Sequence, residues 1–350
     1  FPWGQEQEVY TFQALFDMVK PYYDEGKKRC AEESTDEVKK GVGIALGIFG
    51  AGGDGEDVAN AAAELRPDGG VRIYNTWEDH GQGSDAGTLG TAHEALRPLG
   101  LSMEQISLDL NDTGYCPDSG GAGGSRSQVL VGHAIKDACE KLIAAMTKPD
   151  GGYRTCDEMV AEGLELRYEG SWTQTMGVLI DPKTGQGNPI ANWMYSVFLA
   201  EVSVETATGK SQVDHLLIAT DVGVINSRLN VDGQMWGSLS QGIGLALTED
   251  FEDLKKHTNM RACGIPYPKD VTDDLTVLYL ETPRPLGPYG ASGCGEAPLT
   301  APHVAIINAI DDACGARIRH LPALPEKVLA AMKDRDIQAW NADEVSATVR

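Results

Sequence analysis

The chain has 350 residues, 41% of them hydrophobic and 23% charged, with a formal net charge of -23. That length allows two or more domains with substantial cores. Its acidity argues against nucleic acid, whose phosphates need a basic footprint, and against docking on an anionic membrane. No segment approaches a membrane span, the most apolar run (42–49) being short and glycine-interrupted.

Residues 8–30 place Tyr10, Phe12, Leu15, Phe16, Val19 and Tyr22 at near-helical spacing, with Pro21 expected to interrupt the helix. The charged residues 27–40 are expected to link this helix to the first strand. Strands are predicted at 41–49 and 71–77, and a helix at 84–96. At 127–146, Leu130, Ala134, Ala138, Leu142 and Met146 recur at i, i+4, and Val131, Ile135, Cys139 and Ile143 widen the stripe into that of a deeply buried helix. The glycine-rich break at 148–152 is the expected domain boundary. Beyond it, 193–206 and 211–220 flank Ala207-Thr208-Gly209-Lys210 as a long hairpin. A helix at 232–247, a strand at 275–280, a helix at 302–313, a strand at 317–321 and a last helix from Pro325 complete the pattern. Strands and helices mix without strict βαβ alternation, which predicts an α+β fold of mixed sheets with packed helices. The expected division is 1–150, 151–332 and a polar C-terminal extension at 333–350.

The seven cysteines, an odd number without a C-x-x-C pair, make neither a disulfide framework nor a zinc motif; they fit reduced thiols in a cytoplasmic protein. The start, Phe1-Pro2-Trp3, has no charged and apolar leader and reads as a position inside a longer polypeptide. His93, His133 and His303 lie on helical segments without ligand spacing and read as core or surface histidines.

Four glycine-rich segments carry the chemistry. Gly287-Pro288-Tyr289-Gly290-Ala291-Ser292-Gly293-Cys294-Gly295-Glu296 sets one carboxylate at the end of a glycine-rich loop, before a helix start with Thr300 as N-cap and Pro302 in the first turn. A carboxylate there can act as a general base on whatever the loop embraces, the competing reading being a solvated Glu in a turn. His80-Gly81-Gln82-Gly83 joins a strand end to a helix, as a ligand loop or as a polar connector with His80 capping. Gly120, Gly121, Gly123 and Gly124 precede the most buried helix, with Ser125 or Ser127 as N-cap. Arg126 beside them suits an anion site made of N–H groups and one guanidinium. In the 232–247 helix, Gly242 and Gly244 imply close pressure on one face, from another helix or from a cofactor bonded to Gln241. Gly50-Ala51-Gly52-Gly53-Asp54-Gly55 matches a dinucleotide fingerprint, but Asp54, Glu56 and Asp57 would oppose the pyrophosphate. It reads as an acidic turn.

Taken together, these loops resemble the molybdenum-binding part of the xanthine oxidase family of molybdenum hydroxylases. Within that family they are most similar to the molybdopterin-cytosine-dinucleotide aldehyde oxidoreductases of sulfate-reducing bacteria. The resemblance runs from about Phe12 to Ala330. It rests on Glu78-Asp79-His80-Gly81-Gln82-Gly83, Gly123-Gly124-Ser125-Arg126, Gln241-Gly242-Ile243-Gly244-Leu245-Ala246-Leu247 and the loop from Gly287 to Thr300. It implies a fold of that family's molybdenum-cofactor domains. The metal would be held by the pterin dithiolene and by no protein side chain. His80, Gly81, Gln82 and Gly83, then Gly123, Gly124, Ser125, Arg126 and Ser127, then Gln241, and then Ala291, Ser292, Gly293, Cys294 and Gly295 would hold the dinucleotide. Glu296 would be the base on a metal-bound hydroxyl that attacks an aldehyde, giving a carboxylic acid with water as oxygen source. Cys294 stands where the family usually has valine.

The resemblance further implies two [2Fe-2S] clusters, not bound by this chain, and the first half of the molybdenum region, both in preceding domains of the same parent protein. A small electron carrier would accept the electrons, and a homodimer is compatible. The alternatives are a hydroxylase of purines or other N-heterocycles and a non-catalytic pterin-binding fragment.

Overall fold

The computed structural model describes residues 1–6, 9–51, 56–174, 179–190 and 192–334. A first sheet has the order β1-β6-β7-β8: β1 (Val38–Ala51), β6 (Asn192–Glu205) and β7 (Ser211–Asp221) run antiparallel, and β8 (Leu275–Tyr279) is parallel to β7. The second has the order β4-β3-β2-β5. In it β2 (Asp57–Leu65) pairs antiparallel with β3 (Val71–Asn75) and β5 (Arg167–Gln174), while β4 (Ile106–Leu110) is parallel to β3. Both sheets are mixed, as predicted. The expected division at 150 falls between helices α3 (Ser127–Met146) and α4 (Cys156–Ala161), yet each sheet draws strands from both sides of it.

The two sheets carry separate cores. On the second, α2 (Ser84–Ala95) and α3 cover one face, and the widened apolar stripe of α3 is buried there. The first sheet is covered on both faces. Helix α1 (Phe12–Glu33) buries Leu15 and Val19 on one; α5 (Arg228–Leu247) and α6 (Pro302–Cys314) pack on the other, with α7 (Pro325–Asp334) beyond them. The glycines of β1 make the α6 contact. A Cβ on Gly43 would stand 2.1 Å from the Ala305 carbonyl oxygen, and one on Gly41 2.3 Å from that of Ala309, so the helix backbone lies directly on the strand.

Several expectations are corrected. Helix α1 runs through Pro21, whose ring sits on the solvent side, where the lost N–H can be replaced by water. Residues 27–40 are not a linker: 27–33 close α1 and 38–40 open β1. Part of their charge serves the interior, because Arg29 Nε and Nη2 donate to Glu201 on β6 at 3.1 and 2.5 Å and His215 Nδ1 lies 3.1 Å from the same carboxylate. Burial raises the Glu201 pKa, but these partners outweigh it and hold the carboxyl below its ordinary value. Residues 317–321 form no strand. Their alternation is real, with Ile318 against the core and Arg317 and Arg319 outside, but the segment joins neither sheet. Strands β2, β4 and β5 and helix α4 went unpredicted; the alanines of β2 carry little β-propensity.

Of the Gly50–Gly55 turn, Gly50 and Ala51 end β1 and residues 52–55 lie outside the described residues, as do 335–350 of the expected C-terminal extension. No disulfide joins any of the seven cysteines, all of which lie among the described residues. Among the described residues, no helix is long and apolar enough to cross a membrane.

Replacing Gly43 with Ala must lift α6 from β1. It is expected to reduce stability by about 1–3 kcal/mol, read as a lower urea midpoint with unchanged slope.

Candidate functional site: a cleft of glycine loops and helix entrances

A cavity of about 270 Å³ opens where four segments of the chain meet. Trp77, His80, Gln82, Gly83 and Ser84 bring the passage from β3 to α2. Ala122, Gly123, Ser125, Ser127 and Gln128 bring the entrance of α3. From the end of β7 come Val222 and Val224, from the approach to α5 Asn226, and from its first two turns Asn230 and Gln234. The fourth side is Ser292, Gly293, Cys294, Gly295 and Glu296. Three helices thus begin at one cavity, and none of their N-cap residues makes a side-chain cap bond. First-turn N–H groups of α3 and α5 and the positive ends of those helix dipoles favour an anion there. No lysine or arginine lines the cavity, and Glu296 is the one carboxylate among the described lining residues.

The first loop is organised by a side chain the sequence analysis did not single out. Asp79 Oδ1 accepts the N–H groups of Gly81 (2.8 Å) and Gly83 (3.1 Å), and Oδ2 that of Asp85 (3.3 Å). Gly81 and Gly83 adopt φ of 105° and 87°, which glycine reaches without strain. Desolvation raises the Asp79 pKa, but the surrounding backbone donors prevail and hold it below the ordinary carboxylate value. Gln82 is spent within its loop, accepting from His80 N and donating to the Glu78 carbonyl at 2.7 Å. His80 and Gly83 face the cavity; Gly81 does not line it.

The second loop departs from expectation at Arg126. Its guanidinium is buried and committed: Nε and Nη2 donate to Asp57 at 2.6 and 2.7 Å, Nη1 to the Gly121 carbonyl at 2.8 Å and Nη2 to that of Val58 at 3.1 Å. A buried guanidinium needs a carboxylate, and Asp57 at the start of β2 supplies it. Arg126 is therefore a strut pinning the glycine loop to the sheet, with no donor left for an anion. It also occupies the N-cap position of α3 without a side-chain cap, so neither Ser125 nor Ser127 caps that helix. Gly123, Ser125 and Ser127 line the cavity, whereas Gly124 stands behind.

The fourth segment is held from below. Buried Arg284 donates to the carbonyls of Trp193 (2.9 Å), Thr282 (2.7 Å) and Asp221 (2.8 Å), and Nη2 lies 3.2 Å from the Asp221 carboxylate. Ala291 is buried and bridges Gly223, so it supports the loop without lining the cavity. A Cβ on Gly293 would lie 2.0 Å from the Ser125 carbonyl oxygen: the second and fourth loops touch backbone to backbone. Across that contact Ser125 Oγ donates to Glu296 Oε2 at 2.8 Å. Ser292, 7% exposed and lining the cavity, has an Oγ with no hydrogen-bond partner. Burial pushes the Cys294 thiol up to about 12, so it stays protonated and behaves as a small apolar group. Thr300 donates to the Ala297 carbonyl at 2.7 Å, and Ala301 is the N-cap of α6, so the expected cap is displaced by one residue.

Gln241 does not belong to this constellation. It is exposed on α5, two turns beyond Gln234. The helix glycines are accounted for by packing: a Cβ on Gly242 would lie 2.4 Å from Pro302 at the start of α6, and one on Gly244 2.7 Å from Pro266. The residues the sequence analysis missed sit nearer the N-terminus of α5. The two N–H groups of Asn226 Nδ2 are shared among the Gly87 carbonyl (2.9 Å), Thr91 Oγ1 (3.1 Å) and Gln128 Oε1 (3.1 Å), tying together α2, α3 and the entrance of α5. Asn230 Nδ2 donates to the Gly83 carbonyl at 3.3 Å. The signal was present as Asn226-Ser227 after a strand end, a helix-start signature four residues ahead of the predicted start. His133 stacks on Trp172 and bonds the Leu286 carbonyl, as a structural histidine does. Among the described residues no group of three His, Cys, Asp or Glu side chains is placed to hold a metal ion.

Residues 18–272 match the model of the molybdopterin cofactor-binding domain, which takes in three of the four segments. The aldehyde oxidoreductase of Megalodesulfovibrio gigas is 49% identical over 332 residues, 95% of this chain and 37% of that protein. The crystal structure of the aldehyde oxidoreductase from Desulfovibrio desulfuricans superposes with a TM-score of 0.92 at 57% identity, covering 94% of this chain and 36% of that one. Quinoline 2-oxidoreductase from Pseudomonas putida shares the fold, with a TM-score of 0.76 at 20% identity over 93% of this chain and 45% of that one. The chain spans little more than a third of the length of the aldehyde oxidoreductases it matches.

Replacing Asp79 with Ala removes a three-donor cap and is expected to cost about 1 kcal/mol near neutral pH. Because the folded-state pKa is lowered, this contribution is full above the ordinary carboxylate pKa and is lost as pH falls through the folded value. Urea midpoints of the wild type and the variant should therefore converge on acidification.

Proposed function

The chain belongs to the molybdopterin cofactor-binding domain family, and on that premise we propose that it is the cofactor-holding part of a molybdenum hydroxylase that oxidises aldehydes to carboxylic acids with water as the oxygen source. One observation carries the reading: Glu296 hangs by a single described hydrogen bond at a cavity otherwise lined by glycine backbone, helix entrances and neutral side chains. The aldehyde substrate is taken from the likeness to the aldehyde oxidoreductases. The rest of the parent protein would supply preceding iron–sulfur and molybdenum domains, and a small carrier would take the electrons.

The residues present fit a molybdopterin dinucleotide. Its phosphates require donors without a permanent cation, which first-turn N–H groups of α3 and α5 provide. At Gly123 nothing lies within 4 Å of where a Cβ would stand, which leaves room for a flat ring system to approach the backbone closely. Ser292 Oγ, buried without a partner, is satisfied once a ligand atom fills the cavity. We assign the holding residues as His80, Gly83, Gly123, Ser127 and Ser292 through Gly295, the Ser125 hydroxyl being engaged by Glu296, and the dinucleotide as the cytosine form. When bound, the cofactor supplies a Lewis-acidic centre that accepts two electrons.

Glu296 supplies the base. Its Oε2 is held by Ser125, and Oε1 has no partner among the described residues, so Oε1 is the atom that takes the proton of the attacking water-derived nucleophile. A filled cavity excludes water and strengthens that carboxylate's interactions. The first experiment is molybdenum and acid-released CMP per polypeptide in the native full-length product, with turnover on a panel of aldehydes and purines. Near-stoichiometric amounts of both and aldehyde turnover are expected. Molybdenum without CMP, or purine turnover alone, would shift the reading to the N-heterocycle hydroxylases, and absence of both would overturn it. Glu296→Gln is expected to lower turnover by about 10²–10⁴-fold with molybdenum content retained.

A further inference from the structure

The run that enters α3 uses glycine at 120, 121, 123 and 124, yet the next residue, in the left-handed region, is serine. Ser125 has φ 52°, one of three described non-glycine residues with positive φ; the others are Asn111, of a type that tolerates this region, and Tyr289. Glycine at 125 would remove the strain, so the side chain has to do something that glycine cannot. It does not cap α3, whose N-cap is Arg126. Its hydroxyl makes one described bond, to Glu296 Oε2 at 2.8 Å, across 171 residues of sequence. Behind it, the Gly293 contact with the Ser125 carbonyl fixes the separation of the two loops. The strut Arg126, anchored on Asp57, fixes the chain immediately after it.

We infer that Ser125 is the positioning residue for Glu296: its hydroxyl holds Oε2 and orients the carboxylate so that Oε1 meets the reacting centre. This rests on the reading of Glu296 as the base. The carboxylate is solvent-exposed in the chain as it stands, so one donated bond on a rigid loop decides between its rotamers. Glu296 needs such a holder because its own backbone, at the N-cap of a single 3-10 turn, constrains only its Cα.

The test is Ser125→Gly, which removes the hydroxyl while relieving the backbone, with Ser125→Ala beside it. In the holoenzyme, Ser125→Gly is expected to keep molybdenum per chain and KM, hold or raise the thermal midpoint, and lower kcat about tenfold, the worth of one hydrogen bond to a charged group. A crystal structure of the variant chain should show Glu296 in a new or second rotamer, with the backbone of residues 123–127 unmoved. Unchanged kcat with an unchanged Glu296 rotamer would overturn the inference. So would loss of molybdenum, which would make Ser125 a cofactor ligand, or a lower thermal midpoint with Glu296 unmoved, which would make it structural. Glu296→Gln run alongside separates the two ideas. If it retains turnover, the base reading fails, and the rotamer comparison alone still decides whether Ser125 sets the carboxylate.

Discussion

Two pieces of backbone far apart in sequence, at Ser125 and Gly293, meet with no room for a side chain between them. The candidate site depends on that contact. It joins the loop that enters α3, packed on the second sheet, to the loop that enters α6, packed on the first. A carboxylate at 296 can therefore be addressed by a hydroxyl at 125 only while the two sheet layers keep their spacing. The strand glycines that seat α6 on β1 serve the same end, because α6 carries the Glu296 loop at its entrance. Close-packed interiors transmit such small displacements, so a methyl group inserted under α6 would be felt at the cavity.

Several arginines of this acidic chain work inward. Arg126 is neutralised by Asp57, Arg284 by Asp221 and the carbonyls around it, and Arg29 shares Glu201 with His215. Each ties a loop or a helix to a sheet, and none faces the cavity. The cavity's preference for an anion must then come from N–H groups and helix ends, which are fixed in place and cannot swing away. That is a source of pre-organised electrostatics.

Much of the scaffold was legible in the sequence because it is written in short-range periodicity. The buried stripe of α3 and the β6–β7 hairpin follow from spacing and turn chemistry alone. The Glu296 loop was legible from its glycines and the helix signal after it. What failed had physical reasons. Arg126 beside four glycines looks like an anion ligand until Asp57 arrives from β2. Gln241 beside two helix glycines looks like a ligand contact until Pro302 and Pro266 fill the space. The alternation at 317–321 looks like a strand, but the segment joins neither sheet. Asn226 and Asn230 escaped because the start of α5 was placed four residues late, and Asp79 because a carboxylate beside two glycines reads as an ordinary turn residue.

By itself, then, the sequence determined the long helices and the principal strands, that the protein is α+β, that glycine loops open the principal helices, and which carboxylate stands alone among them. Those properties live within a few residues of chain, where backbone sterics and hydrophobic period decide them. Which glycines face a ligand and which face a helix, which arginine is a strut, and which serine reaches Glu296 were decided only in the tertiary structure. Each depends on a partner tens to hundreds of residues away, and a side chain's role is set by whatever fills the space opposite it.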